Sequence, residues 1–262
     1  MVNYHIHTPR CGHASGAPEE YIEGAIKAGL REIGFSDHAP IPLPMREGIT
    51  MEPGETESYL AEIITLKDRY KNKIAVRVGF EVDYPLFDTF DRSYLSDGRI
   101  DYLTGSCHFI KGWAFDHPDQ IDGFKKRNIN DIYTDYYSSV EDLARSGMFN
   151  IVGHFDLIKK FGHRPTADFA QTIHTIALIL ARNSTAAEIN TSGLLKPVAE
   201  MYPSEKILGI FFENNVPVTI GTDAHEPGNV AYKINEAVAL LKKTGYRKIS
   251  TFQGRRRREI DL

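Results

Sequence analysis

Val2-Asn3-Tyr4-His5-Ile6-His7-Thr8 opens the chain as a β-branched and aromatic run that ends on two histidines. His5 and His7 stand two residues apart, so in a strand both side chains leave the same face. The same kind of ending recurs along the chain. Residues 32–36 are followed by Asp37 and His38, residues 74–82 carry Glu81 and lead to Asp83, and residues 102–106 lead to Cys107 and His108. Residues 151–152 precede His154 and Asp156, residues 186–190 end on Asn190, and residues 216–220 lead to Asp223 and His225. An eighth β-branched run covers residues 248–252.

Amphipathic segments separate these runs. Tyr59, Ile63, Leu66 and Tyr70 share one helix face, and Phe169, Ile173, Ile176 and Leu180 repeat the spacing after Thr166, read as an N-cap. Pro203 is placed at the first position of another helix. Strands alternating with helices predict an α/β fold with a parallel sheet of βα units. A distorted, TIM-like (β/α) barrel with seven rather than eight strands is the preferred closure, and an open doubly wound sheet is the alternative. Neither the dinucleotide fingerprint nor a P-loop occurs, and internal repeats are not evident. Loops 40–55 and 109–130 exceed what a barrel connection needs, which marks them as either functional lids or disordered segments.

The 262 residues suit one domain spanning 1–262. With 42% hydrophobic residues the chain can bury a core without crosslinks, and two cysteines are too few for a disulfide framework. Neither a secretory signal nor an apolar run of ~20 residues is seen, so a cytoplasmic location with no membrane partner is expected. The net charge of −4 gives no general attraction for polyanions, and Arg255 to Arg258 read as a solvated edge rather than a nucleic-acid contact. Oligomeric state has no readable signature.

Seven of the ten histidines fall at or just beyond strand ends: His5, His7, His13, His38, His108, His154 and His225. In a β/α barrel those ends share one side of the molecule, where active sites are built. Burying so many imidazoles and carboxylates together is costly unless they pair or ligate a cation. These seven histidines with Glu81 and Asp223 make nine donors, enough for two or three divalent ions, and the mixed N/O set suits Zn, Fe or Mn. His174 reads as a surface or capping residue, His163 as loop, His117 as a solvated loop residue, Cys107 as core, and Cys11 as lying near the site.

These residues, in this order, resemble the polymerase and histidinol phosphatase (PHP) family of metal-dependent phosphoesterases. Its motifs stand here as His5-Ile6-His7-Thr8, Asp37-His38, His154 and Asp223-Ala224-His225, with Glu81 and His108 between them. Gly79-Phe80-Glu81-Val82-Asp83-Tyr84 and Glu188-Ile189-Asn190-Thr191-Ser192-Gly193 are similar to the stand-alone histidinol-phosphate phosphatase branch. The resemblance implies a seven-stranded β/α barrel with three metal ions. His5, His7, Glu81 and Asp223 would hold the first; Glu81, His108 and His154 the second; His13, His38 and His225 the third.

The expected chemistry is hydrolysis of a small-molecule phosphate monoester, L-histidinol phosphate, by attack of a metal-bridging hydroxide on phosphorus. Asp37 and Asp156 are candidates either to protonate the leaving oxygen or to orient ligating imidazoles. Arg10, Lys159, Lys160 and Lys196 are candidates for the phosphate, and Asp83 and Asn190 for the substrate's polar groups. Three rival readings are a PHP enzyme acting on nucleotides or oligonucleotide ends, a metal-dependent amide hydrolase, and a non-catalytic metal-binding module. The net charge and the complete donor set argue against the first and the last.

Overall fold

Along the chain run β1 (Val2–Asn3), α1 (Pro18–Lys27), β2 (Glu32–Phe35), α2 (Thr56–Tyr70), β3 (Ala75–Asp83), β4 (Tyr102–Ser106), β5 (Phe109–Ile110) and β6 (Trp113–Ala114). They are followed by α3 (Ile129–Ser146), β7 (Ile151–Val152), α4 (Ala170–Asn183), β8 (Ala186–Asn190), α5 (Glu205–Glu213), β9 (Val218–Gly221), α6 (Ile234–Thr244), β10 (Lys248–Gln253) and β11 (Arg256–Asp261). The computed structural model describes residues 1–41, 48–84, 86 and 92–262, so the middle of loop 40–55 lies outside the described residues.

Seven strands pair in parallel in the order β1-β2-β3-β4-β7-β8-β9. The sheet then curls back on itself: Tyr4 N donates to Ile220 O at 2.9 Å, and Ile6 bridges Ala224 in parallel. The result is a distorted seven-stranded TIM-like barrel. β1 is shorter than the run 2–6 suggested, because the Asn3 side chain replaces part of the ladder. Its Oδ1 accepts from His5 N and Thr222 N, and its Nδ2 donates to Thr222 Oγ1 at 2.6 Å. That side-chain clasp ties the first strand's end to the last strand's end, where the donors cluster.

Aromatic rings fill the barrel below the histidines. Tyr102 lies in the interior, meets Tyr4 edge-on at 5.0 Å, and donates to Tyr4 O at 2.9 Å. Its ring occupies the space where side chains of Gly34 and Gly79 would stand; a Cβ on Gly79 would come within 2.7 Å of it. Helices pack outside. α3 shows how: Asn128 caps its start, Gly147 in the left-handed region (φ 63) ends it, and Ile132, Tyr136, Val140 and Leu143 form one buried stripe.

Three expectations change. Residues 248–252 do not form an eighth barrel strand; β10 turns through Gly254-Arg255 into antiparallel β11 and covers the barrel's lower end, with Phe252 N donating to Tyr4 Oη at 2.9 Å. Thr166 is not the cap of α4, since its N–H and Oγ1 are engaged by Asn130, and Asp168 Oδ1 accepts from Ala170 N instead. Pro203 stands outside α5, whose cap is Ser204 with Oγ accepting from Ile207 N. Loop 109–130 carries its own structure, the β5–β6 hairpin and a 3-10 segment Pro118–Lys125. Among the described residues no helix is long and apolar enough to cross a membrane.

Candidate metal centre

The strand ends β1, β2, β3, β4, β7 and β9 bring all nine expected donors to one mouth. Glu81 stands at the centre. Its Oε2 lies 3.2 Å from His5 Nε2, 3.5 Å from His7 Nε2 and 3.2 Å from His38 Nδ1. Its Oε1 lies 2.9 Å from His154 Nε2 and 3.6 Å from His108 Nε2, and accepts from Ser106 Oγ at 2.5 Å. Asp223 Oδ1 approaches His7 Nε2 at 3.2 Å and His5 Nε2 at 3.7 Å. The His225 ring stacks on His7 at 4.1 Å, and His13 stacks on His225 at 4.6 Å. His13 is delivered by the turn Pro9–Cys11, which Thr8 caps and Gly12 closes in the left-handed region at φ 82.

Most rings are aimed from behind. His5 Nδ1 meets Glu188 Oε1 at 2.7 Å, His108 Nδ1 meets Asp83 Oδ1 at 2.8 Å, His225 Nδ1 meets Asp223 O at 2.9 Å, and His13 Nδ1 meets Cys11 O at 3.0 Å. In the neutral ring, a proton on Nδ1 leaves Nε2 as the lone pair facing the cluster. His5 Nε2, His7 Nε2, His38 Nδ1, His225 Nε2 and Glu81 Oε2 are buried and make no hydrogen bond among the described residues. Lone pairs facing one another across about 3 Å repel unless a proton or cation lies between them. The groups His5/His7/Glu81, His5/His154/Asp223 and His7/His38/His225 each place their donor atoms within 4.8 Å of one another, a spacing that fits divalent ions.

Proton affinities split the cluster. Burial opposes charge on His5, but the carboxylates of Glu188, Glu81 and Asp223 outweigh it and raise its pKa well above the ordinary value. Against burial, His5, His38 and His108 hold Glu81 well below the carboxylate range. Burial and the neighbouring His7 push His225 down to about 3, and His38 is likewise depressed, first by burial. His38 and His225 therefore stay neutral and keep lone pairs available at neutral pH.

Above the cluster opens a cavity of about 440 Å³, walled by Ile49, Phe109, Asp116, Leu157, Lys160 and Lys196 among others. Lys160 Nζ donates to Asp116 Oδ2 at 3.1 Å and to Asp116 O at 2.8 Å. Several other expected residues do not reach it. Arg10 points away toward α2, pairing with Glu62 at 2.8 Å and Ser58 at 3.0 Å. Lys159 is buried behind the wall, held by Asp156, Glu200 and Met201 O, each at 2.8 Å. Asp156 faces a second, smaller cavity and accepts from Ser204 N. Asp37 accepts from Thr8 N and Thr8 Oγ1 and lies 3.6 Å from His7 Nδ1, behind that ring. Asn190 is fully buried and donates to Glu188 Oε2 at 3.0 Å, and Asp83 is occupied with His108. His117 lines the cavity wall, His163 stacks on Phe124, and His174 meets Asn214. Cys11 and Cys107 are both buried free thiols.

Glu188 and Asp116 were not singled out from the sequence. Glu188 carried a signal: it is a carboxylate in the otherwise apolar run Ala186-Ala187-Glu188-Ile189, two residues from Asn190 and so on the same inward face. Asp116 sits in a loop and carried none.

A seven-stranded β/α barrel with a cluster of histidines and carboxylates at its mouth, spaced to hold divalent ions, defines the class. The PHP domain model matches residues 3–192, and the chain belongs to the PHP domain family. It is similar to the Deinococcus radiodurans protein named probable histidinol-phosphatase, with 37% identity covering 98% of each chain. It is also similar to histidinol-phosphatase of Bacillus subtilis, at 30% identity over 87% of this chain and 94% of that one. The solved histidinol phosphate phosphatase of Lactococcus lactis, complexed with zinc, L-histidinol and phosphate, shares the fold at TM-score 0.84 and 24% identity, covering 98% of each chain.

Proposed function

We propose that this chain is a metal-dependent histidinol-phosphatase, hydrolysing L-histidinol phosphate to L-histidinol and phosphate. The observation that carries the reading is the convergence of bare, buried imidazole and carboxylate atoms beneath a cavity that also exposes two lysines and one aspartate. Full-length similarity to proteins named for that activity supports the substrate.

The ions would be three, drawn from Zn, Mn or Fe and held by His5, His7, Glu81 and Asp223, by Glu81, His108 and His154, and by His13, His38 and His225. When bound, they would supply a water acidic enough to attack phosphorus near neutral pH and positive charge for the phosphoryl oxygens. The chain's own residues do the rest. Lys160 and Lys196 offer cations to the phosphate; Lys160 can do so by exchanging its bond to Asp116. Asp116, partly freed, is then placed to accept from the substrate's ammonium, and Ile49, Phe109 and Leu157 give the imidazole an apolar wall. Asp37 and Asp156 act through their neighbours, Asp37 behind His7 and Asp156 on Lys159 and Ser204, and neither lines the cavity. The two buried thiols fit a reducing compartment, the cytoplasm.

A substrate panel tests the reading: histidinol phosphate, nucleoside monophosphates, sugar phosphates and a short oligonucleotide, each with Mn or Zn restored. Histidinol phosphate should be turned over far faster than the rest, and Lys160→Met should raise its KM. Preference for nucleotides or oligonucleotide ends would overturn the substrate while leaving the metal centre in place.

A further inference from the structure

Tyr202 lines the cavity, and the reading above gives it no task. It is fully buried, and its backbone is fixed on both sides by Asn190: its N–H donates to Asn190 O at 3.0 Å, and its carbonyl accepts from Asn190 N at 2.6 Å. The ring stands edge-on to the His154 ring at 6.3 Å, with Lys159 Nζ 5.3 Å from its centroid. A side chain so enclosed has little freedom to turn away. Yet its hydroxyl is buried with no hydrogen-bond partner among the described residues.

Leaving a buried hydroxyl unmatched is costly, so such a group persists where a ligand or a water completes it. Among the described residues two other buried hydroxyls lack partners, Ser36 Oγ and Thr104 Oγ1, but neither residue lines this cavity. Position selects the ligand atom. Tyr202 lines the cavity beside His154, one of the clustered donors. Burial first, then the fields of Asp156, Asp223 and Asp116, raise the phenol's pKa, so it remains a donor at working pH.

We propose that Tyr202 donates its phenolic hydrogen bond to a non-bridging phosphoryl oxygen of the bound ester, in the cavity that Lys160 and Lys196 also line. The assignment rests on the phosphatase reading, and it makes Tyr202 a catalytic residue of that reaction. Phosphoryl oxygens are acceptors without protons of their own, which matches a lone donor with no acceptor to satisfy.

The test is Tyr202→Phe, which removes only the hydroxyl, measured in the metal-loaded protein with equal metal content. Three quantities are compared with the parent: melting temperature, affinity for inorganic phosphate by calorimetry, and kcat/KM for histidinol phosphate. The melting temperature should hold or rise, because the hydroxyl has no protein partner. Phosphate binding should weaken by about tenfold, and kcat/KM should fall roughly 10- to 100-fold, as for loss of one donor to a charged transition state. Phosphate affinity and turnover within twofold of the parent would overturn the assignment while the phosphatase reading stood. A melting temperature several degrees lower would also overturn it, by showing that the hydroxyl serves the fold. If the parent does not hydrolyse histidinol phosphate, the substrate reading fails, and the phosphate titration still decides Tyr202 on the same criterion.

Discussion

Glu188 shows how much of the centre depends on side chains that never face the cavity. One oxygen holds His5 Nδ1 at 2.7 Å; the other accepts from His154 N at 2.8 Å and Asn190 Nδ2 at 3.0 Å. A single carboxylate thus orients two donors from opposite sides of the barrel. Glu188→Ala should weaken metal binding by roughly 10- to 100-fold, measured as metal retained per chain after dialysis against a graded chelator; unchanged retention would refute the role. Lys159 makes the opposite prediction. Its ammonium is buried among Asp156, Glu200 and a carbonyl, so Lys159→Met leaves acceptors unmatched and should cost about 3–5 kcal/mol of stability in denaturant unfolding. KM should move little, whereas a large rise in KM with intact stability would restore Lys159 to the phosphate. At this scale the donors were legible in the sequence because a metal ligand is a residue type at a strand end. Lys159 and Lys160 were not separable, because neighbouring lysines after a strand differ only in which way the 3-10 turn Leu157–Lys159 points them.

Elements were legible wherever a strand was buried and alternated. The inward parity of His5 and His7 holds in the structure, and every barrel strand lies within a few residues of its expected place. What the sequence hid was pairing. β10 looks like a barrel strand, yet Gly254 and Arg255, both with positive φ (54° and 62°), form a tight turn that returns the chain antiparallel. A Gly-Arg turn lacks the usual Asn-Gly signature. The arginines after it then fall on an exposed two-stranded edge, where charge discourages association with other strands. Glycines of the barrel wall were equally silent, since their reason is a ring elsewhere. Gly79→Ala would place a Cβ 2.7 Å from the Tyr102 ring and 2.8 Å from the Tyr102 carbonyl. Overpacking against backbone should destabilise by about 1–3 kcal/mol, read as a lower melting temperature; a neutral result would show that the ring can move aside.

Across the whole molecule, metal, protons and stability are linked. Burial opposes charge on His7 and His108, but Asp223 and Asp37 beside the first raise its pKa to about 9, and Asp83 and Glu81 beside the second raise its pKa to about 10. Both are therefore protonated near neutral pH without metal. Their contribution to stability is complete below the unfolded value of about 6.5 and disappears as pH rises toward 9–10. A ligating imidazole must be neutral, so metal loading at pH 7 should release protons, and apparent affinity should climb as pH rises. Calorimetry in two buffers of different ionisation enthalpy reads the number released; no release would contradict this account of the cluster.

The central claim is that these nine donors hold the ions that make the chain a histidinol-phosphatase. The most direct test strips the protein with chelator and adds metal back stepwise, following bound ions per chain and phosphate released from histidinol phosphate in the same samples. The account predicts no turnover in the stripped protein and activity that appears as the centre fills, toward three ions per chain. Full turnover without metal, or a filled centre inert toward histidinol phosphate, would contradict it.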